Sequence, residues 1–95
     1  MEKRKLICEK PDIGNLDEFL ELIYTLRKEF NLHTIAIGET NSDARDMFVT
    51  FSMNGATVSI DYKYYYEEIY LDFICNDDKV DTMKSIEKRI KELVS

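Results

Sequence analysis

The chain has 95 residues, of which 44% are hydrophobic and 34% are charged, and its formal net charge at pH 7 is −6. This length predicts one domain, 1–95, with enough apolar residues for a core. No apolar segment reaches the roughly 18 residues of a membrane helix, and the basic N-terminus lacks the apolar stretch of a signal peptide. We therefore expect a cytoplasmic protein. The two cysteines, Cys8 and Cys75, are too few for a disulfide framework, and we expect both to be buried thiols.

The N-terminal third predicts an edge strand and a helix. Residues 3–8 are compatible with either a strand added to a sheet or a frayed tail, and we favour the strand. A helix is predicted over about 15–30, where apolar residues recur at helical spacing. They are Leu16, Phe19, Leu20, Ile23, Leu26 and Phe30. Asn15 is the predicted N-cap, and Glu18 stands three residues later in capping-box spacing.

The middle of the chain predicts antiparallel strands. A strand is predicted at 32–37 and a loop at 39–45, and Asn54-Gly55 then predicts a tight hairpin turn. On one side of this hairpin the paired residues are apolar: Met53 with Ala56, Phe51 with Val58, Val49 with Ile60 and Met47 with Tyr62. On the other side the pairs are Ser52 with Thr57, Thr50 with Ser59 and Phe48 with Asp61. A slip of one residue would mix the two sets, so turn and pattern support the same register.

The same alternation extends to a third strand of the meander. On the apolar side the pairs are Tyr62 with Ile69, Ile60 with Leu71, Val58 with Phe73 and Ala56 with Cys75. On the other side they are Lys63 with Glu68, Asp61 with Tyr70, Ser59 with Asp72 and Thr57 with Ile74. The opposite charges of Lys63 and Glu68 support this register. Tyr62 is expected in the core with its hydroxyl at the rim, Tyr70 on the opposite face, and residues 64–66 at the tip of the turn.

The last element completes an α+β pattern. A second amphipathic helix is predicted after Asn76-Asp77-Asp78 and runs to about Val94, with Glu87 and Lys91 as an i,i+4 ion pair. The element order (β)-α-β-β-β-β-α predicts a two-layer sandwich: an antiparallel meander of four strands, or five with the N-terminal one, and two helices on one face. The order of the strands in the sheet stays open. This topology resembles the half-repeat of the TATA-binding-protein fold, but a shared fold does not carry a function.

No catalytic, cofactor or metal site is predicted. The single histidine, His33, is expected to be a half-buried packing residue, because no nucleophile motif accompanies it. One histidine and two cysteines are too few for a structural zinc site, and neither Asp61 with Asp72 nor Asp43 with Asp46 has the spacing of a calcium loop. The three glycines are isolated, so nothing indicates a phosphate-binding loop.

The sequence favours a protein-binding role. Seven acids lie within residues 61–81, which disfavours direct nucleic-acid binding and suits a basic protein partner. Aromatic and acidic residues on the uncovered side of the sheet form the predicted partner-binding site: Phe48, Asp61, Tyr65, Glu68, Tyr70 and Asp72. We expect a small acidic, non-enzymatic module, similar in type to immunity proteins, antitoxins and phage inhibitors of basic partners such as nucleases. The alternative is a homo-oligomeric structural subunit that pairs this face or an edge strand with a copy of itself.

Overall fold

The structure, a computed structural model, describes residues 2–41 and 46–95, and for residues 39–41 it describes the backbone alone. The strands are β1 (Glu2–Glu9), β2 (His33–Asn41), β3 (Asp46–Met53), β4 (Ala56–Lys63) and β5 (Glu68–Cys75). The helices are α1 (Leu16–Phe30) and α2 (Val80–Val94), and a 3-10 turn (Asp77–Lys79) precedes α2. This β-α-β-β-β-β-α order matches the predicted α+β sandwich.

The five strands form one antiparallel sheet in the order β1-β5-β4-β3-β2. The N-terminal segment is therefore a strand, as favoured, and it lies at one edge of the sheet beside β5. At the other edge, β2 extends to Asn41, so the predicted loop is wrong for residues 39–41, while 42–45 lie outside the described residues. Within the described chain, no helix has the combination of length and apolar character required to cross a membrane.

Local hydrogen bonds set both ends of α1. The amide of Glu18 donates to Asn15 Oδ1 at 2.9 Å, and the Glu18 carboxylate accepts from the amide of Gly14. The predicted N-cap is thus confirmed. At the other end Asn31 adopts a left-handed conformation (φ 54°) and donates its amide to the carbonyl of Arg27, which ends the helix. A bidentate pair between Arg89 of α2 and Glu29, with both N–O distances 2.8 Å, links the two helices.

The observed register of β3, β4 and β5 is the predicted one at every pair. The turn that sets it has only one residue in the left-handed region, Gly55 with φ 85°, whereas Asn54 is not left-handed. The hairpin therefore closes without the mirror-image turn in which both central residues have positive φ. A glycine is required at position 55, because an L side chain is strained at that φ.

The core lies between one face of the sheet and the two helices. Phe19 and Leu26 of α1 and Ile86 and Ile90 of α2 are buried against apolar residues of β3, β4 and β5. Tyr62 is only 2% exposed, with its ring 5.2 Å from that of Phe19. Its hydroxyl donates to the carbonyl of Ile13, in the segment between β1 and α1, at 3.5 Å. Burial raises the pKa of Tyr62.

Three sequence-based assignments need correction, two of burial and one of an ion pair. His33 is exposed, because it pairs with Ser52 on the face of the sheet that no helix covers. Cys75 is buried as predicted, but Cys8 is only half-buried, and the two do not form a disulfide. Glu87 makes its ion pair with Lys5 of β1 at 2.8 Å rather than with Lys91.

We expect Asn15→Ala to lower the free energy of unfolding by about 1 kcal/mol, because the amide of Glu18 would lose its acceptor. The matched control is Asn76→Ala. Asn76 occupies the corresponding position before the 3-10 turn but makes no capping hydrogen bond through its side chain. Urea titration measures both variants, and the control should stay within about 0.5 kcal/mol of the unsubstituted chain. Equal losses in the two variants would contradict the capping role of Asn15.

Candidate functional site

One face of the sheet carries no helix, and we call it the open face. Strand alternation places four cross-strand rows on it: Glu2-Ile74-Thr57-Ser52-His33, Arg4-Asp72-Ser59-Thr50-Ala36, Leu6-Tyr70-Asp61-Phe48-Gly38 and Glu9-Glu68-Lys63-Asp46. Both helices pack on the opposite face. Six carboxylates and two cations therefore share the open face, which leaves four of the chain's six net negative charges there.

Arg4 organises the centre of the open face. Its guanidinium lies between two carboxylates: it contacts Asp72, and its Nη1 is 3.1 Å from Asp61 Oδ2. The same guanidinium lies over the ring of Tyr70, 4.4 Å from the ring centroid. Tyr70 in turn donates its hydroxyl to Glu68 Oε1 at 3.2 Å. The place considered above for a metal cation, between Asp61 and Asp72, thus holds an arginine.

Sequence analysis missed Arg4 because its position depends on a pairing that no local signal specifies. Arg4 stands 57 residues from Asp61 and 68 from Asp72 along the chain. Only the docking of β1 beside β5 places Arg4 opposite Asp72. The run of three cations at positions 3–5 of β1 was the available signal, but its interpretation required a known neighbour strand.

Asp72, beside Arg4, does not behave as a fully exposed carboxylate. Partial burial raises the pKa of Asp72, Arg4 acts in the opposite direction, and Asp61 raises it further. At the next row Lys63 pairs with Asp46 at 3.2 Å, not with Glu68, although Lys63 and Glu68 are cross-strand partners as predicted. The predicted register is therefore confirmed, and the ammonium group of Lys63 lies next to the carboxylate of β3.

The ring of Phe48 lies next to β2 at Gly38. Phe48 is the cross-strand partner of Gly38, and a Cβ added at Gly38 would be 3.0 Å from Cε1 of the Phe48 ring. A side chain at position 38 would thus push the ring off the strand. Gly38 follows the strand predicted at 32–37, but in the structure it lies within β2 and the ring of Phe48 packs against it.

Five of the six predicted partner-binding residues come together. Phe48, Asp61 and Tyr70 share one row, and Asp72 and Glu68 occupy the rows on either side of it. Tyr65 does not join them: it lies in the β4–β5 turn, is 64% exposed and contacts Tyr64, with the ring centroids 6.2 Å apart. Tyr64 itself packs towards the core against Tyr62. The tyrosines at the tip and those on the open face are separate features.

A depression lies on the helix side of the sheet, between β1 and α2. It has a volume of about 390 Å³, an apolar floor that includes Leu71 and Met83, and lysines 3, 5 and 84 at its rim. Lys3 and Lys5 belong to β1, and Lys84 belongs to α2. The hydrogen bond from Lys5 lowers the pKa of Glu87, and this pairing neutralises one of the three lysines.

In the part of the chain that the structure describes, no group of three or more His, Cys, Asp or Glu side chains is placed to hold a metal ion.

Comparison of this chain with models of protein families, with curated proteins and with solved structures found no match. The open face itself is therefore the feature that indicates a function. Its charge, its half-buried rings and the arginine that holds them are the relevant observations.

We expect Arg4→Met to lower the free energy of unfolding by about 1 kcal/mol at pH 7, because Asp61 and Asp72 would lose the cation between them. Arg4 stabilises the ionised form of Asp72, whose pKa burial raises, so the loss is present above the pKa of Asp72. It should shrink as the pH falls through that pKa to about 3.5 and Asp72 becomes protonated.

The matched control is Lys88→Met, which removes one positive charge from an exposed position on α2. Urea titrations at the two pH values measure both variants. A loss for Arg4→Met that is the same at both pH values would show that the residue acts by packing and not by charge.

Proposed function

We propose that this chain is a small non-enzymatic module that binds a basic protein partner through its open face. The observation that carries the proposal is the combination, on a sheet face without a helix, of four net negative charges and a row of half-buried apolar side chains. Charge of this sign attracts lysine- and arginine-rich surfaces and repels phosphate.

The apolar anchors stand in the third row of the open face. Leu6, Tyr70 and Phe48 are all half-buried, and Asp61 lies between the two rings. Protein interfaces concentrate their binding energy in a few aromatic residues surrounded by a polar rim. In the proposed complex the rings of Tyr70 and Phe48 make the central contact, and Asp72 and Glu68 pair with cations of the partner.

The anchors are held in place before a partner arrives. Tyr70 is fixed by the guanidinium of Arg4 above its ring and by the hydrogen bond to Glu68. Phe48 is fixed by its contact with Gly38. Side chains that are already ordered lose less conformational entropy on binding, so the same contacts give a higher affinity.

The class of partner follows from the charge. An acidic, ordered face of this kind fits the phosphate-binding surface of a basic enzyme such as a nuclease, whose action it would block by occupying the surface. An inhibitor of the immunity or antitoxin type that acts in the cytoplasm is the form of the proposal that we favour. Tyr65, at the exposed tip of the β4–β5 turn, would add a contact beyond the open face.

Affinity capture with the double variant Phe48→Ala/Tyr70→Ala tests the proposal. We expect the unsubstituted chain to retain a basic protein from a lysate of its source, with retention that weakens as salt is added. The double variant should lose that protein, since removal of interface anchors costs about 2 kcal/mol or more each. Its fold should survive, because neither ring belongs to the core.

The matched control is Leu20→Ala/Tyr24→Ala, which removes one aliphatic and one tyrosine side chain exposed on α1, away from the open face. Tyr65→Ala, as a third variant, separates the tip from the face. The proposal fails if the face variant retains the same proteins as the control, or if the retained protein is acidic.

A further inference from the structure

The edge formed by β2 differs from the rest of the surface because most of it, up to Glu39, carries no charged residue. From His33 to Gly38 the strand carries no acid, lysine or arginine, although a third of the chain is charged. Ile35 is 54% exposed and Ile37 is 58% exposed, and Ala36 between them is exposed as well. The strand has β3 on one side only, so its other side presents backbone N–H and C=O groups that β3 does not pair.

The opposite edge has the protection that β2 lacks. β1 carries exposed cations at three successive positions, Lys3, Arg4 and Lys5. Charged side chains, lysine above all, are the usual means by which proteins prevent an edge strand from pairing with another chain. Of the two edges of the sheet, β2 is therefore the one that can accept a further strand.

We propose that two copies of this chain pair β2 to β2 in antiparallel fashion, about a two-fold axis within Ala36–Gly38. Any such axis brings the two Ile37 side chains within two strand positions of each other, so each covers the other's exposed apolar surface. The register of β2 is irregular between Thr34 and Ala36 and again between Glu39 and Asn41, and the regular part from Ala36 to Glu39 supplies the contact.

Charge favours a second copy in this orientation. Arg27 and Lys28 line a depression together with His33 at the beginning of β2, and the strand position of Glu39 lies near its end. Antiparallel pairing places the basic end of each edge next to the acidic end of the other, whereas parallel pairing would place like charges together. Pairing through the open faces would instead oppose four net negative charges to four.

The assembly stops at two copies. A two-fold axis between antiparallel edge strands is perpendicular to the sheet, so the result is a ten-stranded sheet with both helix layers on one side. Its two outer edges are both β1, with the cations described above. The open faces remain accessible, and the pairing does not depend on the partner proposed in the previous subsection.

Sedimentation equilibrium of the purified chain, compared with Ile37→Lys, tests the pairing. Short strand-pairing interfaces are typical of weak complexes, so we expect a monomer–dimer equilibrium for the unsubstituted chain between about 1 µM and about 1 mM. Ile37→Lys would place two like charges near the axis, and we expect the dissociation constant to rise at least about tenfold.

The matched control is Ile74→Lys, since Ile74 is also 58% exposed but lies on β5, away from the β2 edge. This variant should dimerise like the unsubstituted chain. A monomer at all concentrations of the unsubstituted chain overturns the proposal, whether or not the lysine variants fold. So does an equal change of the dissociation constant in the two folded variants.

Discussion

The tight turn at Asn54-Gly55 is the constraint on which the rest of the structure depends. It fixes the register of β3 against β4, and strand alternation then assigns every second side chain of both strands to one face. One face becomes apolar and is covered by two helices, and the other keeps Asp61 and Phe48. A shift of one residue would exchange the faces, so the proposed binding surface exists only because Gly55 allows this turn.

The sequence contained enough local information to predict the elements and the central register. The hairpin signal, the alternation in β3 to β5 and the cap at Asn15 each act over a few residues, and the structure agrees with all three. Local patterns could not predict which strand pairs with β1, and therefore could not predict where Arg4 lies. Nor could they place β2 at an edge, where His33 and Ile37 become exposed.

Long-range pairing also changes the electrostatics of the open face. The sequence predicted an open face with acidic residues around two aromatic rings. In the fold, Arg4 contacts Asp61, Asp72 and the ring of Tyr70 and holds them in one cluster. The arginine reduces the net charge but orders the side chains that would meet a partner. A preformed acidic surface with fixed rings is a better binding site than a more acidic surface with free ones.

The central claim is that the turn sorts side chains into a covered and an uncovered face, and two phenylalanines of β3 test it directly. Phe51 is fully buried beneath the helices and Phe48 is half-buried on the open face. Urea titration of Phe51→Ala and Phe48→Ala measures the difference. The account predicts a loss of about 3 kcal/mol or more for Phe51→Ala, up to failure to fold, and of about 1 kcal/mol for Phe48→Ala. Equal losses, or a larger loss at Phe48, would contradict it.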